Sequence, residues 1–374
     1  MSDASDPGGS AFSPEGTWFE HSRSAEWKHA APSRQTLDFH RSLDRYAATP
    51  LMDLPALARD LNVGRVVAKD ESSRLGLPAF KALGASWAIE RILRTHAETS
   101  GTTTIVTATD GNHGRAVAHF ARHFGHRSLI FIPDGVHPSA VQAIQDEGAD
   151  VREVGGSYDF AVASAASAAD ADPEAVLVQD TAWPGYEEIP GWIVEGYTTL
   201  FAEADQQLAS VGADAVDLAV IPTGVGSLLQ AALSSYRSSG DTRVVSVEPT
   251  AAACVAPSLI AGEAVTVPTG TTVLSGLNCG TPSMLAWPLI RDGLDGAVSI
   301  DDSGAVTAAW DLADLDVPAG PCGGSGLAAA RFMLTGPGSQ QRRTHLRIDE
   351  TSTVLLIITE GSAANPLPER PRPR

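Results

Sequence analysis

Only three lysines, Lys28, Lys69 and Lys81, stand among the 26 basic residues of the chain, so a protein that used an amine as nucleophile would have to use one of them. Lys28 lies in a polar stretch and Lys69 heads the charged run KDES. Lys81 instead sits in LPAFKALGASWAIERIL, at the start of a helix with an apolar face. Partial burial disfavours the ammonium and a helix N-terminus repels it, so both would lower the pKa of this amine toward the range in which it attacks carbonyls. A snorkelling surface lysine is the competing reading of the same residue. Two glycine turns suit anions. Gly224-Val225-Gly226-Ser227 follows an apolar strand and precedes a helix, where free N–H groups form an electropositive nest for a phosphate. The dinucleotide pattern GxGxxG would need its third glycine at Leu229, so a smaller phosphate ligand fits better. Glycine also serves in such loops simply to turn the chain. A second turn, Asp110-Gly111-Asn112-His113-Gly114, offers N–H groups to a carboxylate, and Asp110 or Asn112 is also readable as a helix cap.

These groups need a frame. Residues 102–109 (TTTIVTAT) read as a β-branched strand, followed by the second glycine turn and the helical run RAVAHFARHFG. The unit recurs, with strands at 128–132, 151–154 and 175–178 and helices at 138–147 and 160–169. A second series follows a helix at 192–208. It has strands at 217–221 and 243–247, helices at 228–236 and 305–312, a glycine-rich loop at 320–326 before the helix LAAARFML, and a last strand at 354–358. Repeated βα units predict an α/β fold with two doubly wound open sheets, mostly parallel, and ligands at the carboxyl ends of the strands.

Composition narrows the chemistry. With 26 basic against 45 acidic residues the formal charge is −19, and such a surface repels phosphate backbones and anionic lipid, so neither nucleic acid nor membrane is expected as a partner. At 43% hydrophobic and 19% charged residues the chain can build a large core. Its apolar runs, such as 354–358, fall far short of the roughly 18 residues that span a bilayer. The opening MSDASDPGGSAFSPEG has neither the basic start nor the apolar stretch of a secretory signal, so a flexible leader and a cytoplasmic protein are expected. Three cysteines without a CxxC pair argue against a structural zinc site, and no metal is expected. No HExxH, GxxxxGK[ST] or GxSxG is present.

Longer segments carry a resemblance. KDESSRLGLPAFKALGASWA (69–88), TATDGNHGRAVA (107–118), QDTAWPGYEEIPGWIVEGY (179–197), IPTGVGSL (221–228), VEP (247–249), SGLNCGTPS (275–283) and ITEG (358–361) follow one another in a set order. In these the chain resembles the fold-type II pyridoxal phosphate enzymes, the superfamily of threonine dehydratase and the tryptophan synthase β subunit. Within them it is most similar to the diaminopropionate ammonia-lyases, whose mark is DTAWxGYEEIP. The resemblance implies that pyridoxal 5'-phosphate is held by Lys81 in a Schiff base next to Phe80, with Asn112 on the phenolic oxygen of the cofactor. It also implies that Gly224, Val225, Gly226 and Ser227 cradle the phosphate and that Thr359 faces the pyridine nitrogen. The family's TEGDT is here Thr359-Glu360-Gly361-Ser362-Ala363. Lys81, Asp110 and Asp180 are the implied catalytic set, and Thr109, Asp110, Gly111, His113 and Tyr186 the implied substrate contacts. Cys254 and Cys279 match a cysteine pair near the active-site entrance, bonded or as two thiols. Cys322 is expected to line the cofactor site without a chemical role, and Trp183, Tyr186 and Trp192 either wall the pocket or belong to the core.

The implied reaction is elimination of ammonia from L- and D-2,3-diaminopropionate, giving pyruvate and two ammonia. Lys81 takes the α-proton of one enantiomer and Asp110 that of the other, with the substrate carboxylate on the N–H groups of the Asp110 turn. Serine or threonine dehydration, or β-replacement, is the rival within the fold. A non-catalytic cofactor-binding or amino-acid-sensing protein is the rival outside catalysis, although binding alone would not need Lys81, Asp110 and Asp180 together. The resemblance further implies a homodimer, with the active site between two domains. A leader at 1–40 precedes a large domain (41–83 and 189–374) into which a small one (84–188) is inserted.

Overall fold

The computed structural model describes residues 16–24, 27–95, 101–109, 111–213, 215–238 and 240–371. In chain order its strands are Gly16–Glu20 (β1), Leu51–Asp53 (β2), Arg65–Asp70 (β3), Thr104–Ala108 (β4), Arg127–Ile132 (β5) and Asp150–Glu153 (β6). Ala175–Leu177 (β7), Leu218–Pro222 (β8), Arg243–Pro249 (β9), Gly296–Ile300 (β10) and Thr353–Ile358 (β11) complete them. The helices begin with Gln35–Ser42 (α1), Pro55–Asp60 (α2), Lys81–Thr95 (α3), Asn112–His123 (α4), Pro138–Asp146 (α5), Tyr158–Asp170 (α6) and Glu188–Ser210 (α7). They continue with Ser227–Tyr236 (α8), Val255–Ala261 (α9), Ala286–Gly293 (α10), Asp302–Ala313 (α11), Pro321–Leu334 (α12) and Ser339–Leu346 (α13).

The larger sheet runs β1-β10-β9-β8-β11-β3-β2 and the smaller β6-β5-β4-β7. All pairs are parallel except the two edges of the large sheet, β1 on β10 and β2 on β3. The small sheet draws every strand from 104–177, and the large sheet takes strands from both sides of that stretch. Strands β8 (LAVIP) and β11 (TVLLII) are buried along their whole length, which is what helices on both faces of a parallel sheet require. From β8 the chain winds outward through β9 and β10, then returns to β11 on the other side of β8. That reversal opens a crevice at the carboxyl ends of β8 and β11, where the first glycine loop and Thr359 lie.

Two expectations are corrected. The stretch read as a flexible leader enters the fold at Gly16–Glu20, which pairs with β10. Trp18 there covers Gly296, whose missing Cβ would fall within 3 Å of the indole. The glycine-rich loop expected at 320–326 is instead the first turns of α12. A Cβ on Gly324 would come within 2.6 Å of the Ala305 carbonyl, so this glycine serves close packing of α12 on α11.

Helix α3, which starts at Lys81, is held against α7 by the same device. A Cβ on Gly196 would approach the Leu83 carbonyl to 2.5 Å, and one on Gly84 would meet the Tyr197 ring at 2.5 Å. His40 of α1 braces both helices, with Nδ1 2.8 Å from the Thr199 hydroxyl and Nε2 3.0 Å from the Leu83 carbonyl. Lys69, which heads the charged run KDES, is completely buried. Its amine donates to Glu203 Oε2 and the Thr49 carbonyl, both at 2.7 Å, while Arg74 spans Glu71 and Glu203 at 2.6–2.8 Å. Removing one partner from such a network costs about 3–5 kcal/mol. It fixes the end of β3, and therefore the chain leading to Lys81, on α7. Among the described residues no helix is long and apolar enough to cross a membrane, and no group of His, Cys, Asp and Glu could hold a metal ion.

Candidate active site

Lys81 is the first residue of α3, and its Nζ donates to Asp180 Oδ2 at 2.5 Å. The lysine side chain keeps 18% of its surface exposed, enough for a ligand to reach the amine. The sequence reading of its titration is corrected here. Burial does disfavour the ammonium, but the Asp180 carboxylate more than reverses this and leaves Lys81 above its usual value. Asp180 is disfavoured as an anion by its own burial, yet the Lys81 ammonium holds it below the usual carboxylate range. The resting pair is an ion pair. The Phe80 ring lies 5.2 Å from the Lys81 nitrogen, and the Phe80 N–H donates to the Thr359 carbonyl at 3.1 Å.

The first glycine loop leaves β8 and starts α8. Gly226 has φ +97°, a left-handed conformation that a side chain would strain. At Gly224 a Cβ would crowd the Cys279 sulfur and the Gly276 carbonyl, both at 3.1 Å. The N–H groups of Gly224, Val225, Gly226 and Ser227 find no acceptor among the described residues, so four donors converge at a helix start. The Ser227 hydroxyl is engaged elsewhere. It donates to the Asp180 carbonyl at 2.6 Å, which ties the loop to the carboxylate that pairs with Lys81.

Of the second turn, Asp110 lies outside the described residues. Thr109 shapes the remainder, its Oγ1 accepting from the N–H groups of Gly111 at 2.9 Å and Gly114 at 3.0 Å. The turn therefore offers a carboxylate the N–H groups of Asn112 and His113, not those of Gly111 and Gly114. The Asn112 side chain donates to Glu360 Oε2 at 2.6 Å and has a second N–H to give. His113 Nε2 lies 2.8 Å from the Val178 carbonyl and must donate to it, so Nδ1 carries a bare lone pair. Burial lowers this imidazole, which keeps it neutral. Tyr186, expected at the substrate, spends its hydroxyl on backbone: it accepts from Gln179 N at 2.8 Å and donates to the Leu177 carbonyl at 3.0 Å. With Trp183 stacked on it at 4.5 Å, it anchors the segment that presents Asp180. Trp192 belongs to the core. No disulfide joins Cys254 and Cys279, and the structure holds both as thiols.

Two buried polar atoms at this place lack any hydrogen bond among the described residues: Thr359 Oγ1 and His113 Nδ1. Glu360, the partner of Asn112, was not singled out from the sequence. Unpaired buried groups are costly and rare in folded proteins, and their convergence marks a ligand site. A group with a phosphate, an aldehyde and a ring nitrogen fits these residues. The loop donors suit the phosphate, Lys81 suits the aldehyde, and the orphaned Thr359 hydroxyl suits the nitrogen.

Comparison with known proteins decides the matter. Residues 43–360 match the family of pyridoxal-phosphate dependent enzymes. The chain belongs to that family. It is 34% identical to a diaminopropionate ammonia-lyase of Salmonella typhimurium over 361 residues, covering 88% of this chain and 89% of the relative. The corresponding Escherichia coli enzyme is 33% identical over 346 residues, with 86% of each chain covered. The solved structure of the Escherichia coli diaminopropionate ammonia lyase in its holo form superposes with a TM-score of 0.86 at 30% identity, covering 95% of this chain and 96% of that one. Another structure of that enzyme contains an aminoacrylate-pyridoxal phosphate reaction intermediate, with a TM-score of 0.85. A maize serine racemase at 24% identity and TM-score 0.71 shares the fold. Membership in the family establishes the fold-type II α/β architecture and pyridoxal phosphate as the cofactor.

Proposed function

We propose that the chain is a diaminopropionate ammonia-lyase, converting 2,3-diaminopropionate and water into pyruvate and two ammonia. The Lys81–Asp180 pair at 2.5 Å, set between a glycine cradle and the Asn112 turn, is the observation that carries this reading. Identity of 33–34% to curated enzymes of that activity supports it. Pyridoxal phosphate, when bound, supplies an electron sink for the pair left behind as the α-proton departs. Gly224, Val225, Gly226 and Ser227 would hold its phosphate through their N–H groups, Asn112 its phenolic oxygen and Thr359 its ring nitrogen, with Phe80 packed beside Lys81.

Lys81 Nζ takes the α-proton of the L substrate. Asp180 Oδ2, in contact with that nitrogen, stabilises the ammonium that keeps the proton. A carboxylate here also favours a cationic β-amine over the neutral hydroxyl of serine on Coulomb grounds. The N–H groups of Asn112 and His113 receive the substrate carboxylate, and Thr109 keeps the turn in shape. For the D substrate the sequence assigns proton removal to Asp110. The working protein is a cytoplasmic homodimer in this reading, with 84–188 as the inserted small domain and the active site between it and the large domain.

The test is pyruvate and ammonia release from L- and D-2,3-diaminopropionate, with L-serine and L-threonine alongside, in the wild type and in Lys81→Ala. Two ammonia per pyruvate from diaminopropionate, faster than from serine and absent in the variant, is the expected result. Turnover of serine or threonine alone would move the chain to the dehydratases, and an active Lys81→Ala protein would overturn the assignment of the nucleophile.

A further inference from the structure

Asn112 can serve a ligand only if its amide faces the right way, and an asparagine amide turned over by half a rotation fills the same space with oxygen and nitrogen exchanged. Its neighbour makes the choice. Asn112 Nδ2 donates at 2.6 Å to Oε2 of Glu360, a side chain that is 3% exposed. Glu360 follows β11 of the large sheet and Asn112 follows β4 of the small one, so this bond crosses from one sheet to the other. The backbone around Glu360 is tied to the segment that presents Lys81. The Phe80 N–H donates to the Thr359 carbonyl at 3.1 Å, and the Gly361 N–H donates to the Pro78 carbonyl at 3.0 Å. On the side of α12 the Gly320 N–H donates to the Glu360 carbonyl at 3.0 Å, and a Cβ on Gly323 would approach that carbonyl to 2.8 Å. The carboxylate therefore stands on the same frame as the reacting amine.

We propose that Glu360 is a positioning residue for Asn112, accepting one N–H of the amide so that the other is fixed toward the phenolic oxygen of the cofactor. The inference rests on the reading of Asn112 as the partner of that oxygen. A carboxylate has no hydrogen to give, so it pairs with Nδ2 and never with Oδ1. An ionised phenolic oxygen also needs a donor, and the overturned amide would set Oδ1 against it. Burial pushes the Glu360 carboxyl up, while hydrogen bonds from Cys322, Asn365 and Asn112 pull it part of the way back. Burying a carboxylate is costly, and a glutamine would fill the same space without charge. Only the carboxylate, however, accepts on both of its atoms.

Glu360→Gln puts an NH2 group in place of one oxygen and changes little in volume. The donors at Cys322 and Asn365 claim the oxygen that remains, which leaves the NH2 facing Asn112 and turns that amide over. The test is a double-mutant cycle of Glu360→Gln and Asn112→Ala on the full chain. The dissociation constant for pyridoxal phosphate is read by fluorescence titration, and the visible absorbance of the bound cofactor is recorded. Glu360→Gln alone should weaken binding about three- to tenfold, the effect of one hydrogen bond, and should move the absorbance in the same direction as Asn112→Ala. In the Asn112→Ala background it should change the dissociation constant less than about twofold and the absorbance no further. A loss of equal size in both backgrounds marks a structural role at the start of α12 and overturns the proposal. An unchanged dissociation constant in Glu360→Gln does the same. If Asn112→Ala binds the cofactor as the wild type does, Asn112 is not its partner and the proposal falls with that assignment. A wild type without turnover of diaminopropionate would count against the proposed substrate only, and the cycle, which reads binding, would still decide the role of Glu360.

Discussion

The Asp180→Asn substitution removes one charge from the Lys81 amine and changes little in volume. At 2.5 Å and an effective dielectric of about 20, two unit charges attract by about 7 kcal/mol, equivalent to roughly five pKa units. Burial, the largest influence on this amine, works against that attraction in the wild type and would meet only the smaller contributions of Tyr197 and Cys279 in the variant, so Lys81 should titrate below its usual 10.5 instead of above it. The assay is the pH profile of pyridoxal phosphate capture at Lys81, and the midpoint in Asp180→Asn should fall by at least about two units, the part of the Coulomb figure that survives solvent screening. Capture would become easier at neutral pH while pyruvate release from L-2,3-diaminopropionate drops by about 10²–10⁴-fold, because the carboxylate that stabilises the Lys81 ammonium and the cationic β-amine is gone. The stability of the protein should follow the same pair. Asp180 is depressed in the folded state, so its contribution is present above the unfolded carboxylate value and is lost as pH falls through the folded one. Lys81 is raised, so its contribution is complete below the unfolded value of 10.5 and is lost as pH rises above it. The variant should lack both arms. An unchanged capture midpoint, or undiminished turnover of diaminopropionate, would refute the reasoning.

Two further perturbations test other parts of the site and its frame. Thr359→Val keeps the shape and deletes the orphaned hydroxyl, so the cofactor-free protein should melt no lower. Its dissociation constant for pyridoxal phosphate, measured by fluorescence titration, should weaken about five- to tenfold, and equal affinity would remove Thr359 from the cofactor site. His40 is pushed down to about 3 by burial, whereas the unfolded chain takes its proton near 6.5, so stability from this group is lost as pH falls below 6.5. The expected loss reaches about 2 kcal/mol by pH 5, at about 1.4 kcal/mol per pH unit. Urea midpoints at pH 7 and pH 5 should therefore separate more in the wild type than in His40→Gln, and equal separations would exclude the buried imidazole as the cause.

What could be read from the sequence was local, and what could not was held together across the chain. Lys81, the Gly224 loop and the Asn112 turn are legible because their meaning lies within a few neighbours: a strand before, a helix after, small residues between. Strand β3 escaped because its sequence, RVVAKD, is short and ends in two charged residues. Lys69 is nevertheless buried, since Glu203 and Gln207 on α7 meet its ammonium 134 and 138 residues later. The same distance in sequence hid the pairing of Asn112 with Glu360, which are 248 residues apart, and the contact of Tyr197 with Lys81. Glycines misled in one place because a helix that packs closely needs them as much as a loop does, and only the Ala305 carbonyl facing Gly324 separates the two uses. The N–H groups of Gly111 and Gly114 were assigned to a substrate for a related reason: the hydroxyl that takes them, that of Thr109, has no spacing rule that distinguishes it from a threonine simply ending a strand. Residue type and spacing thus located the nucleophile and the phosphate donors. Which donors stay open, and whether the nucleophile is charged at rest, depended on Thr109, Ser227 and Asp180, whose roles exist only once the two sheets have met.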